Sequence, residues 1–273
     1  MDTIVVNNFP SNVDILLGGH DLELLRKMGV SIPKFPSLEP AENFTRFVPP
    51  NATDTPEMLF MPKINNCSIP APRFTRRSNP REFLIYTDGA CIENGNENAS
   101  AGCAFVFRPE VPPSMIPPST SCGHSTRTMN LHTLGACNFR LESGGPNGEI
   151  VPQTSNRAEL RAIIAVLQFR LWHNEGFQRL VIATDSSYAV EGSTNWIRKW
   201  QQNGWQTSNR RPVKNRDLWE VIIKELGKCS RAGLEVQLWL IPRSLNSVAD
   251  RLAKEGAALA DVERWANRSG VVC

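Results

Sequence analysis

Regular patterning of apolar and polar positions begins at residue 81. REFLIYTDGA (81–90) is a β-prone apolar run that closes on an acid, and AGCAFVFRP (101–109) and CNFRLES (137–143) share its texture, so three strands are predicted. The period then changes. In NRAELRAIIAVLQFRLWHN (156–174) the apolar residues Leu160, Ile163, Ile164, Leu167 and Leu171 keep helical spacing. LVIAT (180–184) is short and apolar throughout, as expected of a parallel strand buried on both faces. SSYAVEG, NWIRKWQQN and NRDLWEVIIKELGK (215–228) read as helices, LEVQLWLIP (234–242) as a strand, and SLNSVADRLAKEGAALA (244–260) as an amphipathic closing helix.

Three successive strands can pair as an antiparallel meander, whereas the two later ones need crossover helices and join in parallel. The expected fold class is therefore α/β: a five-stranded mixed sheet, three antiparallel then two parallel strands, with helices on both faces. Residues 1–80 carry no usable periodicity apart from one short helix, DLELLRKMG (21–29), and read as an irregular or partly disordered extension. The domain is placed at 81–262, with a Pro- and Ser-rich surface insertion at about 109–135 and a tail at 263–273.

Composition narrows the class. The net charge of +3 and 21% charged residues permit nucleic-acid binding without arguing for it. Seven cysteines with no CxxC spacing suit neither a disulfide framework nor a zinc site, and read as reduced thiols. The four histidines are scattered. No secretory leader or membrane-length apolar run is visible, so the expectation is an intracellular protein, nuclear or cytoplasmic, without membrane association.

The informative residues are four acids. Asp88 and Asp185 each end an apolar strand; Glu159 reads as lying in the first turn of the 156–174 helix and Asp250 in an early turn of the closing helix. Singly, each has a plain explanation: Asp88-Gly89 is a hairpin turn signal, and acids near a helix N-terminus gain from its dipole. Together they can converge at the carboxyl end of a sheet, where ligands of α/β folds bind. Carboxylates held close repel unless a cation intervenes, and hard oxygen ligands suit Mg²⁺ or Mn²⁺.

YTDGA, TSNRAEL, TDSSYAV and NSVADRLAKEGA, in this order, resemble the four motifs of the type 1 ribonuclease H family, and RRPVKNRDLW (210–219) resembles a fifth stretch. The resemblance runs from about 83 to 260 and implies the ribonuclease H-like fold. It also implies metal-dependent hydrolysis of the RNA strand of RNA–DNA hybrids, leaving 5′-phosphate and 3′-hydroxyl ends, by two metal ions per site with substrate bound. Asp88, Glu159, Asp185 and Asp250 would be the catalytic, metal-binding acids. Asp88 and Asp185 would bridge the metals or lie nearest the scissile phosphate, Asp250 would hold one ion, and Glu159 would hold the other near the ribose 2′-hydroxyl. Asn94, Ser155 and Asn156 match positions that contact nucleotides from the minor groove, and Thr154 matches one that contacts a DNA phosphate. Each also reads as an ordinary loop or cap residue.

The segment WIRKWQQNGWQTSNRRPVKNRDLW (196–219) interleaves tryptophans with Arg198, Lys199, Arg210, Arg211, Lys214 and Arg216. That mixture suits a nucleic-acid surface, although the rings also suit a packed helical handle with solvated charges outside. The resemblance makes it the family's basic protrusion, with Arg198, Lys199, Trp200, Arg210, Arg211 and Lys214 as substrate contacts. QQNGWQ (201–206) departs from it, being neutral where bacterial relatives are strongly basic. The link LIPRSLNSVAD (240–250) departs further: it is short and lacks the loop histidine of many relatives, a form similar to fungal-type and retroelement domains. Arg243 is the candidate for a positive charge near the leaving group. Residues 1–80 lack the aromatic and basic pattern of the small hybrid-binding domain that precedes many eukaryotic members. The expected partner is an RNA–DNA hybrid and the expected state a monomer. Two other readings stand beside the enzyme: a ribonuclease H-like module that binds nucleic acid or protein without cutting, and a piece of a retroelement polyprotein.

Overall fold

The computed structural model describes residues 44–65, 71–110 and 135–270. Its longest described strand, β4 (Asn79–Ile92), is the spine of the sheet. The second half of β4 pairs antiparallel with β5 (Ser100–Arg108), which pairs antiparallel with β6 (Gly135–Arg140). On its other edge β4 runs parallel to β7 (Arg179–Thr184), and β7 runs parallel to β8 (Glu235–Leu240). These are the five expected strands in the expected mixture of directions.

Three further strands come from residues that the sequence reading leaves irregular, and residues 44–65 and 71–80 are corrected accordingly. β1 (Thr45–Arg46) lies parallel on β8, while β2 (Phe60–Ile64) and β3 (Pro72–Arg76) extend the sheet beside the first half of β4. A four-residue helix, α1 (Pro56–Leu59), capped by the Thr55 hydroxyl, leads into β2. These strands are two to five residues long and carry Pro62 and Pro72, so no alternation builds up along them. Tertiary contacts hold them instead. Phe47 and Phe60 pack on Trp239, and the buried Arg73 pairs with Glu175 at 2.8 Å. The predicted helix at 21–29 and all but the ends of the predicted insertion at 109–135 lie outside the described residues.

The alternation of β4 decides what covers each face. Phe83 and Ile85 join the main core with α2 (Ser155–Phe169) and α5 (Arg216–Arg231). Leu84 points the other way, toward Val181, Ala183 and Trp239, and this second face is closed by Phe47 and Phe60. Helix α6 (Ser247–Ala257) covers the rest of it. Between β7 and α5 the chain forms α3 (Ser187–Glu191), a π turn (Gly192–Trp196) and α4 (Ile197–Gln202). Residues after α6 are tied back. Ser143 N donates to Val262 O, Gly270 N donates to Phe169 O, and Arg268 joins the fully buried Arg161–Glu142 pair.

Two glycines set how closely helices approach the sheet. A Cβ on Gly89 would stand 2.1 Å from the backbone nitrogen of Glu159, and one on Gly102 would stand 2.0 Å from that of Ala257. Both helices therefore pack backbone to backbone on the strands. Gly89→Ala is expected to lower unfolding free energy by about 1–3 kcal/mol, measured by urea denaturation, because the overlap falls on backbone atoms that cannot step aside. Gly95→Ala, where nothing lies within 4 Å of the added atom, is the control and should cost less.

Candidate active site

The parallel pairing of β4 with β7 ends at Tyr86–Ala183, and beyond it Asp88 and Asp185 stand at the carboxyl end of the parallel strands. Asp88-Gly89 is no hairpin: β4 continues to Ile92, and the glycine admits the backbone of α2. Asp185 leaves β7 just before Ser186, whose hydroxyl caps α3 by accepting from Ala189 N. Helix α2 is capped by Thr154, whose Oγ1 accepts from Arg157 N, and carries Glu159 in its second turn rather than its first. Glu159 thus owes its place to the contact with Gly89, not to the helix dipole. Asp250 lies in the first turn of α6.

One carboxylate oxygen from each of Asp88, Glu159 and Asp185 lies within 4.8 Å of the other two. Burial, together with the charges of Asp185 and Asp250, pushes the Asp88 carboxyl up to about 7. Burial and the charges of Asp88 and Asp185 push Glu159 well above the usual carboxylate range. Glu159 Oε2 is buried with no hydrogen-bond partner among the described residues. A crowded set of hard oxygen donors, one of them unpaired, fits a divalent cation, which would relieve the repulsion and occupy the free oxygen.

Asp250 stands outside this group of three and is held by cations. Its Oδ1 accepts from Arg243 Nη2 at 2.5 Å and its Oδ2 from Lys254 Nζ at 2.6 Å. Burial would raise its pKa, but these bonds outweigh that and hold the carboxyl below its usual range. Arg243 is largely exposed, and its Nε lies 4.0 Å from Asp185 Oδ2, so its guanidinium leans between two of the acids. The link from β8 to α6 is a single tight turn, Arg243–Leu245.

Three residues that sequence reasoning missed organise the site. Asn246 precedes α6 and reads as a helix cap. Its side chain makes no capping bond; instead Nδ2 donates to Asp185 Oδ1 at 2.8 Å and to Thr87 O at 3.0 Å. Lys254 reads as half of an ordinary i,i+4 surface pair, yet its partner is Asp250. Arg157 is buried and pairs with Asp217 at 2.5 Å, tying the first turn of α2 to the start of α5. The Asn-before-helix position and the i,i+4 spacing signalled Asn246 and Lys254, both with commoner explanations, and no local signal marked Arg157.

The remaining candidates lie in the turn after β4, at the start of α2, on α4 and in the loop before α5. Asn94 is exposed in the turn after β4, beside Glu93 and Gly95 with positive φ. Ser155 and Asn156 open α2. Arg198 and Lys199 are exposed on α4, and Arg210, Arg211 and Lys214 are exposed in the loop before α5. Trp200 is half-buried, its ring 5.7 Å from Trp196 and 5.6 Å from Trp219, so it packs the handle that presents those cations.

The family model for RNase H matches residues 80–258, which include all four acids but not β1–β3. The chain is 35% identical over 140 residues to Ribonuclease H of Treponema pallidum, covering 51% of this chain and 70% of that protein. It is 31% identical over 179 residues to Ribonuclease H1 of Mus musculus, covering 64% of this chain and 50% of that one, so it spans about half the length of the mouse protein. A solved foamy viral protease-reverse transcriptase in complex with RNA/DNA hybrid is similar at a TM-score of 0.43 and 20% identity, over 64% of this chain and 20% of that one.

The raised Asp88 pKa has a consequence for stability. Between the ordinary carboxylate value near 3.8 and about 7 the native protein holds a proton that the unfolded chain releases. Stability contributed there is present at low pH and lost as pH rises through that window. In chelator, Asp88→Asn is expected to be more stable than the parent at pH 8, by at most about 4 kcal/mol, with the difference vanishing near pH 4. Urea denaturation at both pH values checks this, and added Mn²⁺ should stabilise the parent at pH 8 far more than the variant.

Proposed function

This chain belongs to the ribonuclease H family, and from that premise we propose that it is a metal-dependent endonuclease that hydrolyses the RNA strand of RNA–DNA hybrids. The observation that carries the reading is the carboxylate group itself: Asp88, Glu159 and Asp185 brought within 4.8 Å by two strand ends and one helix, with Glu159 Oε2 unpaired. When bound, Mg²⁺ or Mn²⁺, two ions with substrate present, would supply an activated water and neutralise charge on the leaving oxygen.

The protein's own part is placement. Asp88 sits on β4 and Asp185 directly follows β7, so their carboxylates are held without a folding cost at the moment of binding. Asn246 fixes the Asp185 carboxylate through Oδ1 and leaves Oδ2 turned toward Arg243. Asp250, now bonded to Arg243 and Lys254, would be the fourth residue to hold the ions in this reading. Glu159 faces the ribose 2′-hydroxyl, the group that distinguishes RNA from DNA. Arg243 takes the place of the histidine in the family's longer loop and sets a fixed positive charge beside the leaving group. Asn94, Ser155 and Asn156 line the minor-groove side, Thr154 meets a DNA phosphate, and the exposed cations of α4 and the following loop hold the DNA backbone. The catalytic domain is residues 81–262, with residues 44–65 and 71–80 packed on it as an addition.

A labelled RNA–DNA hybrid incubated with the protein in Mg²⁺ or Mn²⁺, beside duplex RNA and duplex DNA, tests the proposal. The expected result is cutting of the hybrid's RNA strand alone, slowed on the order of a thousandfold in Asp185→Asn. Folded protein that binds the hybrid and cuts nothing in either metal would instead be a binding module. Arg243→Ala should lower kcat about tenfold or more with little change in KM, since its charge is needed only as the leaving oxygen develops; unchanged turnover would remove it from the reaction.

A further inference from the structure

The turn that carries Arg243 spans two fixed points. Before it, Ile241 N donates to Thr184 O at 2.9 Å; after it, α6 begins at Ser247. Within the turn, Leu245 N donates to Pro242 O and Asn246 N to Arg243 O. Those bonds fix its shape but not its place. Pro242, Arg243 and Ser244 are exposed, whereas Leu245 is partly buried. It packs on the apolar cluster that Phe47 and Phe60 form with Trp239 and Ile241.

Phe47 and Phe60 belong to the N-terminal addition, which precedes the span 80–258 matched to the family. β1 runs parallel to β8, and Phe47 N donates to Leu238 O. Phe47 therefore emerges at the end of the sheet where Asp185 and the Arg243 turn lie. Its ring is 4.7 Å from that of Trp239 and 6.2 Å from that of Phe60, and both phenylalanines are buried. Arg46 also reaches Glu191 of α3 at 2.9 Å, but both groups are partly exposed and such a pair contributes little. The apolar contact is the stronger link. Directly beside Leu245 is Asn246, which holds Asp185 through Nδ2; two residues before it, Arg243 leans between Asp185 and Asp250.

We propose that Phe47, backed by Phe60, is a positioning residue for the acid cluster: through Leu245 it seats the turn whose Arg243 and Asn246 meet the carboxylates. Without that seat the turn shifts, and with it the Asn246 amide that steadies Asp185. Displacing a group that orients a metal ligand costs about tenfold or more in metal affinity or activity. The effect on turnover rests on the nuclease reading. The effects on Asn246 and on cation binding do not, so the two fail separately.

Phe47→Ala in the full chain tests this, with Phe177→Ala as the control. Phe177 is as buried as Phe47 (4% against 5%), but it stacks on Phe83 just before β7, at the end of that strand away from Asp185. NMR is expected to show the Asn246 side-chain amide displaced in Phe47→Ala and unmoved in Phe177→Ala. Titration calorimetry should give Mn²⁺ affinity about tenfold lower in Phe47→Ala, and hybrid cleavage a kcat about tenfold lower with KM little changed. Phe47→Leu, which refills most of the space, should return the amide signal to its place and both constants to within about threefold of the parent. Leu245→Ala removes the same contact from the turn's side. It should reproduce the Phe47→Ala changes, and it carries the test if Phe47→Ala does not fold. An Asn246 amide and Mn²⁺ affinity unaltered in Leu245→Ala and in folded Phe47→Ala, or altered as much in Phe177→Ala, would overturn the proposal. A parent that binds Mn²⁺ and cuts nothing would overturn the nuclease reading alone, with the amide and Mn²⁺ arms still deciding this one.

Discussion

The contact on which the site depends is the one between the backbone of α2 and strand β4 at Gly89. A side chain there would collide with the main chain of Ala158 and Glu159. Its absence lets the helix sit directly on the strand, which places Glu159 beside Asp88, one residue before the glycine. The parallel pairing of β4 and β7 then sets Asp185 at the same end. Three elements far apart in sequence thus deliver three carboxylates to one place, and none can move without disturbing the core beneath it.

That arrangement is electrostatically unfavourable without a cation, and the structure is built to withstand it. Arg243 and Lys254 neutralise Asp250, and Asn246 gives up its capping bond to steady Asp185. Elsewhere buried charges are paired: Arg161 with Glu142, Arg73 with Glu175, Arg157 with Asp217. Such pairs would be strongly destabilising if broken, so they hold α2, the N-terminal hairpin and the residues after α6 to one arrangement. Among the described residues, the crowded carboxylates are the three acids Asp88, Glu159 and Asp185.

Much of the site was legible because its residues lie within strong local patterns. Asp88 and Asp185 end apolar runs, and the basic segment is visible as a cluster. Asn246, Lys254 and Arg157 were not legible, because their partners are distant or their spacing has a commoner meaning. Residues 44–80 were illegible for a different reason. Strands this short, interrupted by proline, have no periodicity of their own and form only where Phe47 and Phe60 find Trp239.

By itself the sequence determined the five central strands, the helices between them and the four acids, since hydrophobic periodicity reports which side of an element is buried. Only the tertiary structure decided that Gly89 is a helix contact rather than a turn, that three acids converge while Asp250 is held by cations, and that N-terminal residues close the second face of the sheet. These depend on distances between segments far apart in the chain, and local patterning carries no information about such distances.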